Sequence, residues 1–72
     1  MSERAVAIAV GGIRLGQFLK LAGVIDTGAE AKAFLAERAV LVNGEPETRR
    51  GRQLDVGDVV EAGGESLRVA AA

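Results

Sequence analysis

The chain has 72 residues, of which 49% are hydrophobic and 26% charged, and its formal net charge is −1. This balance favours one folded domain over a disordered chain, because disorder goes with low hydrophobicity and high net charge. Cysteine and histidine are both absent, which excludes disulfides, zinc sites of the usual Cys/His type and catalysis by Ser-His or Cys-His pairs.

The longest apolar run, residues 5–10, is six residues long. A membrane-spanning helix needs about 20 such residues, and the apolar part of a secretory signal needs at least about 7. We therefore expect a soluble, cytoplasmic protein without a membrane partner. Followed by Gly11-Gly12, the run predicts a short first strand.

The first helix is predicted from apolar residues spaced i, i+3, i+4 and i+7 between Leu15 and Ala22, which form a stripe on one helix face. Leu21 falls outside this stripe. Gly23 is placed to end the helix as the first residue beyond its C-cap.

A second helix is predicted to begin at Thr27, a candidate N-cap with Glu30 three residues later in the spacing of a capping box. It extends to about Glu37 or Arg38. Its core face is expected to consist of Ala31, Phe34 and Leu35.

Short strands separated by turns account for the remainder of the chain. Residues 40–42 predict a strand and Asn43-Gly44 a tight hairpin turn. Pro46 makes the returning strand short or places it at a sheet edge. We expect the tail, residues 70–72, to fray. Further turns are predicted at 56–58 and 63–64, and further strands at 59–60 and 67–69.

The positive charge is concentrated in one part of the chain. Residues 14–52 contain seven basic and five acidic residues, a net charge of +2, whereas residues 53–72 have a net charge of −3. Three arginines lie together in Arg49-Arg50-Gly51-Arg52, which is typical of a phosphate-binding loop but also of a solvated loop that maintains solubility. Packing of the two helices as a hairpin would place further cations and the Asn-Gly turn on the same surface.

The aromatic residues favour one kind of nucleic acid. Phe18 and Phe34 are the only two, both at core-face positions, and there is no Tyr or Trp to stack unpaired bases. A double-stranded or folded RNA, recognised by its shape and backbone, is therefore the better partner.

The other polar motifs are assigned to turns. The Gly-Gly pairs match no phosphate-binding loop motif. Asp55 and Asp58 would either hold a metal or cap a turn, and the turn is the commoner role. A domain of this size offers little concave volume, so we expect no enzymatic activity, no cofactor and no small-molecule substrate.

Five segments, taken in order, resemble a known family: the RNA-binding domain named after small-subunit ribosomal protein S-four, or αL motif. Their order and spacing agree over residues 13–61, about two-thirds of the chain, and the Thr-Arg-Arg-Gly stretch is similar to small stand-alone bacterial members. The segments are 14–20, 27–32, 40–44, 47–51 and 56–60.

The resemblance implies one α+β domain over residues 1–72, in which a helical hairpin packs on a small twisted, mostly antiparallel sheet. It also implies binding of structured RNA, chiefly ribosomal or transfer RNA, and association with the ribosome. In the family, a Ser-Arg pair often begins the second helix, and here the pair is Thr27-Gly28.

The net charge of −1 and the missing arginine in the second helix leave an alternative open, in which the same basic face binds an acidic protein.

The predicted RNA-binding residues combine these arguments. The cations are expected to hold phosphates, while Thr27 and Asn43 contact the RNA backbone or shape the surface. The full set is Arg14, Lys20, Thr27, Lys32, Asn43, Arg49, Arg50 and Arg52.

Overall fold

The computed structural model describes residues 3–9 and 11–72. Within these residues, two helices and a mostly antiparallel sheet form the predicted α+β fold, which is confirmed. The elements are β1 (Glu3–Ile8), β2 (Ile13–Arg14), α1 (Leu15–Leu21), α2 (Glu30–Glu37), β3 (Leu41–Val42), β4 (Glu45–Pro46), β5 (Gln53–Leu54), β6 (Val59–Ala62) and β7 (Glu65–Ala71).

The main sheet has five strands in the order β1-β7-β6-β3-β4. Strand β1 pairs with β7 in parallel, and the other neighbours are antiparallel. The predicted edge position of Pro46 is confirmed, because β4 is the outermost strand. Strands β2 and β5 form a separate two-stranded sheet.

The expected fraying of residues 70–72 was wrong. Ala70 and Ala71 pair with Ala7 and Ile8, and the backbone N–H of Ala72 donates to the carbonyl of Ile8 at 3.0 Å. Strand β1 provides hydrogen-bonding partners for the tail, and the local sequence of either segment does not indicate this pairing. The predicted end of this strand, Val10, lies outside the described residues.

The hydrophobic core is a single cluster between the helices and the sheet. Phe18 is fully buried, as expected. Phe34 is only half-buried and packs at the edge of the cluster, with the guanidinium carbon of Arg38 6.0 Å from its ring centroid.

The end of α1 follows the sequence prediction. Gly23 has φ +79°, the left-handed conformation that favours glycine. Its N–H donates to the carbonyl of Lys20 at 3.0 Å, and the N–H of Val24 donates to that of Leu19 at 2.9 Å, which is the Schellman pattern. Leu21 is 53% exposed, in agreement with its position outside the apolar stripe.

The start of α2 differs from the prediction. The helix begins at Glu30 with Ala29 as its N-cap, and a turn with Glu30 N–H donating to the Thr27 carbonyl at 3.2 Å precedes it. Glu30 Oε1 accepts both the backbone N–H of Thr27 at 3.0 Å and its hydroxyl at 3.2 Å. Because the Glu30 N–H donates to the Thr27 carbonyl and not to the Thr27 hydroxyl, the reciprocal half of the capping box is missing.

The Asn43-Gly44 turn is confirmed. Its two residues have φ of +52° and +83°, as a type I′ hairpin turn requires. It connects β3 to β4.

Candidate nucleic-acid interface

A two-residue bridge brings the arginine loop, residues 49–52, to the start of α1. Ile13 pairs with Leu54, and Arg14 pairs with Gln53. The N–H of Leu15 then donates to the Arg52 carbonyl at 2.8 Å, and the N–H of Gly16 donates to the Arg50 carbonyl at 2.9 Å. The loop therefore caps the first turn of α1, whose N–H groups have no partner within the helix.

Gly16 allows this close contact. A Cβ atom at this position would lie 3.3 Å from the Cβ atoms of both Ala31 and Arg50, tighter than ordinary van der Waals contact. The residue therefore allows α1, α2 and the arginine loop to meet at one point. Sequence reasoning missed it, although a glycine inside a helical pattern often has a packing reason.

The three elements enclose an open cavity of about 380 Å³, which we call the basic cavity. Its cations are Arg14, the N-cap residue of α1, Lys20 from α1 and Arg50 from the arginine loop. All three side chains belong to exposed residues, and none forms an ion pair among the residues the structure describes. Uncompensated cations that line a concave surface attract phosphate groups. The complete lining is Arg14, Gly16, Gln17, Lys20, Gly28, Ala31, Arg50 and Gly51.

Two of the other predicted residues do not line the basic cavity, although each adjoins a lining residue in the sequence. Lys32 is exposed on α2, next to the lining residue Ala31. Thr27 precedes the lining residue Gly28, and its hydroxyl and backbone N–H both donate to Glu30. Their contacts with RNA stay predictions.

Asn43 has a role within the fold. Its side-chain Nδ2 donates to Asp58 Oδ1 at 3.1 Å, and its Oδ1 accepts the N–H of Val59 at 2.9 Å. The residue thus ties the hairpin turn to β6, and its part in RNA binding stays a prediction.

Asp58 forms a turn cap with Asp55. Its Oδ2 accepts the backbone N–H of Asp55 at 2.9 Å. This bond is the largest cause of the lowered pKa of Asp58, and the side chain of Asn43 and the charge of Arg52 lower the pKa further. Among the described residues, no group of three or more acidic side chains is arranged to hold a metal ion.

Arg49 and Arg52 contact a carboxylate that sequence reasoning did not single out, that of Glu47. Arg49 Nη2 lies 3.0 Å from Glu47 Oε1, and Arg52 Nε lies 3.4 Å from the same oxygen. The hydrogen bond from the Arg49 side chain is the largest cause that lowers the pKa of Glu47 from 4.5 to about 2, and Glu47 in turn raises the pKa of Arg49. These residues line a second hollow of about 350 Å³.

Neither helix in residues 3–9 and 11–72 has the length and apolar character needed to cross a bilayer.

Comparison with known proteins places the chain in a family. The family model described as "S4 domain" matches residues 6–70. The "Probable ribosome maturation protein RlbA" of Bacillus subtilis (strain 168) is 67% identical over 52 residues, which are 72% of this chain and 73% of that protein. The "Putative RNA-binding protein YbcJ" of Escherichia coli (strain K12) is 39% identical over 59 residues, or 82% and 84% of the two chains. The chain therefore belongs to the S4 domain family.

Proposed function

We propose that this protein binds structured RNA, either ribosomal or transfer RNA, through the basic cavity, and that it acts in ribosome maturation in the cytoplasm. It does so by binding alone, without catalysis. The observation that carries the proposal is the convergence of Arg14, Lys20 and Arg50 on one open cavity. None of these cations forms an ion pair within residues 3–9 and 11–72.

The electrostatics suit a phosphate backbone. Each phosphate that a protein cation neutralises releases a condensed counterion, so the affinity depends on salt. The three cations lie at the end of β2, on α1 and in the arginine loop, and backbone hydrogen bonds hold these segments together. Little backbone therefore has to be ordered on binding. A folded RNA presents phosphates at fixed positions, which a rigid arrangement of cations can match.

The similar proteins support the same function. One bears a name that assigns it to ribosome maturation, and another bears a name that describes RNA binding. Membership of the S4 domain family agrees with the resemblance found in the sequence. We extend these functions to the present chain as part of the proposal.

A salt titration tests the proposal. Binding to a ribosomal RNA hairpin and to transfer RNA is measured by fluorescence anisotropy, with a single strand of the same composition for comparison. Three phosphate contacts predict a slope of log K against log salt of about −2 to −3. Arg14→Gln should flatten the slope by about 0.7 to 0.9.

Arg68→Gln is the matched control, because Arg68 is exposed in the sheet and forms an ion pair with Glu3 at 3.2 Å. This variant should leave the slope unchanged. Absence of binding to both folded RNAs at low salt would contradict the proposal. Capture of an acidic protein that persists after nuclease treatment would favour the protein-binding alternative.

A further inference from the structure

The three arginines of the arginine loop are directed to two different hollows. Arg50 lines the basic cavity. Arg49 and Arg52 line the second hollow together with Glu47, which we call the Glu47 hollow. Neighbouring residues of the same type therefore face different surroundings.

Glu47 engages both of the arginines in its hollow. Its carboxylate accepts Arg49 Nη2 at 3.0 Å and Arg49 Nε at 3.1 Å, a two-point contact. The same carboxylate accepts the backbone N–H groups of Thr48 and Arg49, each at 3.0 Å. The Glu47 side chain is only 12% exposed, so its charge depends on these partners for stabilisation.

Arg49 and Arg52 differ in what limits their contact with a phosphate, which is burial for one and charge pairing for the other. Arg52 is 31% exposed, and its Nη1 atom is buried, so only part of its guanidinium is accessible. Arg49 is 74% exposed, and its charge is instead compensated by the two-point contact with Glu47. A cation that is already paired displaces no net counterion when a phosphate approaches.

The backbone of the loop is held at the same time from the side of α1. The carbonyls of Arg50 and Arg52 accept the N–H groups of Gly16 and Leu15, and the N–H of Arg52 donates to the carbonyl of Arg49 at 3.2 Å. The loop backbone is thus held by α1, and the other two arginines are held by Glu47. Arg50 is the one arginine of the loop that lines the basic cavity.

On the basis of the RNA-binding function proposed above, we infer that Glu47 is a positioning residue that divides the arginine cluster. It holds Arg49 and Arg52 in its own hollow and so presents Arg50 alone to the phosphate backbone. The cluster thus contributes one phosphate contact where its composition suggests three.

Salt titrations of two variants with the same charge change test this division. Arg50→Gln should flatten the slope of log K against log salt by about 0.7 to 0.9, whereas Arg49→Gln should leave the slope at the wild-type value. Equal flattening by both variants, with wild-type binding intact, would overturn the inference.

A third variant separates positioning from a merely structural role. Glu47→Gln keeps the shape of the side chain but removes its charge, so Arg49 becomes free to meet a phosphate. We expect the slope to steepen by about 0.7 to 0.9, with less discrimination between folded and single-stranded RNA. A variant that is only destabilised would show weaker binding without a steeper slope, and that result would contradict the inference.

A measurement without RNA keeps the inference separate from the proposed function. Carbon-detected NMR should show the Glu47 carboxyl with a pKa of about 2 in the wild type, a higher pKa in Arg49→Gln and the wild-type value in Arg50→Gln. If the wild type bound no RNA, the proposed function would fail together with the RNA contact of Arg50, while this titration would still decide whether Glu47 holds Arg49. An ordinary Glu47 pKa in the wild type would overturn the inference directly.

Discussion

The cations of the sheet and those of the basic cavity differ in their partners. In the sheet, Arg4 pairs with Glu65 at 3.2 Å and Arg68 pairs with Glu3 at the same distance. Arg4 Nη2 also donates to the carbonyl of Ala22 at 2.8 Å, at the end of α1. In the basic cavity, no cation forms an ion pair among the residues that the structure describes.

This difference shows why the net charge is a poor guide to the surface of this protein. Exposed ion pairs contribute only about 0 to 1 kcal/mol to stability, but they cancel the field of their cations at short range. The remaining field arises where cations lack partners, and concave surfaces focus it. A chain with a net charge of −1 can therefore present a locally positive surface to RNA.

Removing two cations from the basic cavity should change RNA binding more than any other variant considered. Arg14→Gln with Lys20→Gln should flatten the salt slope of RNA binding by about 1.4 to 1.8. The matched double variant, Arg4→Gln with Arg68→Gln, should leave the slope unchanged because these cations are already paired. Similar slopes for the two double variants, both folded by circular dichroism, would remove the distinction between the regions.

A second variant breaks the basic cavity without changing any charge. Gly16→Val would force a side chain against Ala31 and Arg50, and overpacking of this kind costs about 1 to 3 kcal/mol. Urea unfolding should show this loss, and RNA binding should weaken as the arginine loop moves away. Gly28→Val is the control, because nothing lies within 4 Å of a Cβ atom there. Equal stability of the two variants would mean that the loop does not pack on α1 as described.

Adding a cation to the basic cavity should steepen the salt slope of RNA binding, the opposite of removing one. Gly28 lines the basic cavity, and nothing lies within 4 Å of a Cβ atom at this position. Gly28→Arg should steepen the salt slope by about 0.7 to 0.9. Ala36→Arg adds the same charge at an exposed position of α2 outside the lining and should change the slope less. An equal gain from both substitutions would indicate attraction by overall charge alone.

The smallest effect concerns acid stability. The pKa of Glu47 is lower in the folded protein, about 2, than its ordinary value of 4.5, so the unfolded chain binds the proton more readily. The contribution of Glu47 to the free energy of unfolding is therefore fully present above about pH 4.5 and is lost as the pH falls toward about 2. Urea unfolding at several pH values should show a shallower loss for Glu47→Gln than for the wild type. Parallel curves would contradict the lowered pKa.

Local signals in the sequence predicted the features that depend on local backbone geometry. Gly23 and Asn43-Gly44 adopt positive φ, which few residue types tolerate, so their residue types alone indicated the helix end and the hairpin turn. Thr27 had the right spacing for a capping box, but its hydroxyl donates to Glu30. The Glu30 N–H donates to the Thr27 carbonyl, not to the hydroxyl, because a turn precedes α2, and residue types do not reveal this turn.

Features that join distant segments were missed. The tail pairs with β1 across almost the whole chain, and the β2–β5 bridge involves only two residues on each strand. Two residues are too few to show the alternation that marks a strand. The role of Gly16 follows from that bridge, since the bridge brings Arg50 against α1.

The residue types alone indicated the α+β class, the positions of the main turns, the absence of cysteine and histidine chemistry, and the presence of an arginine cluster. Folding set the partners of those arginines: among the residues that the structure describes, Arg49 and Arg52 pair with Glu47 and Arg50 forms no ion pair. Composition counts charges, whereas compensation of a charge depends on distances of about 3 Å between atoms that folding brings together. For that reason the pairing of Glu47, an ordinary acidic residue in the sequence, with Arg49 and Arg52 became visible only in the folded chain.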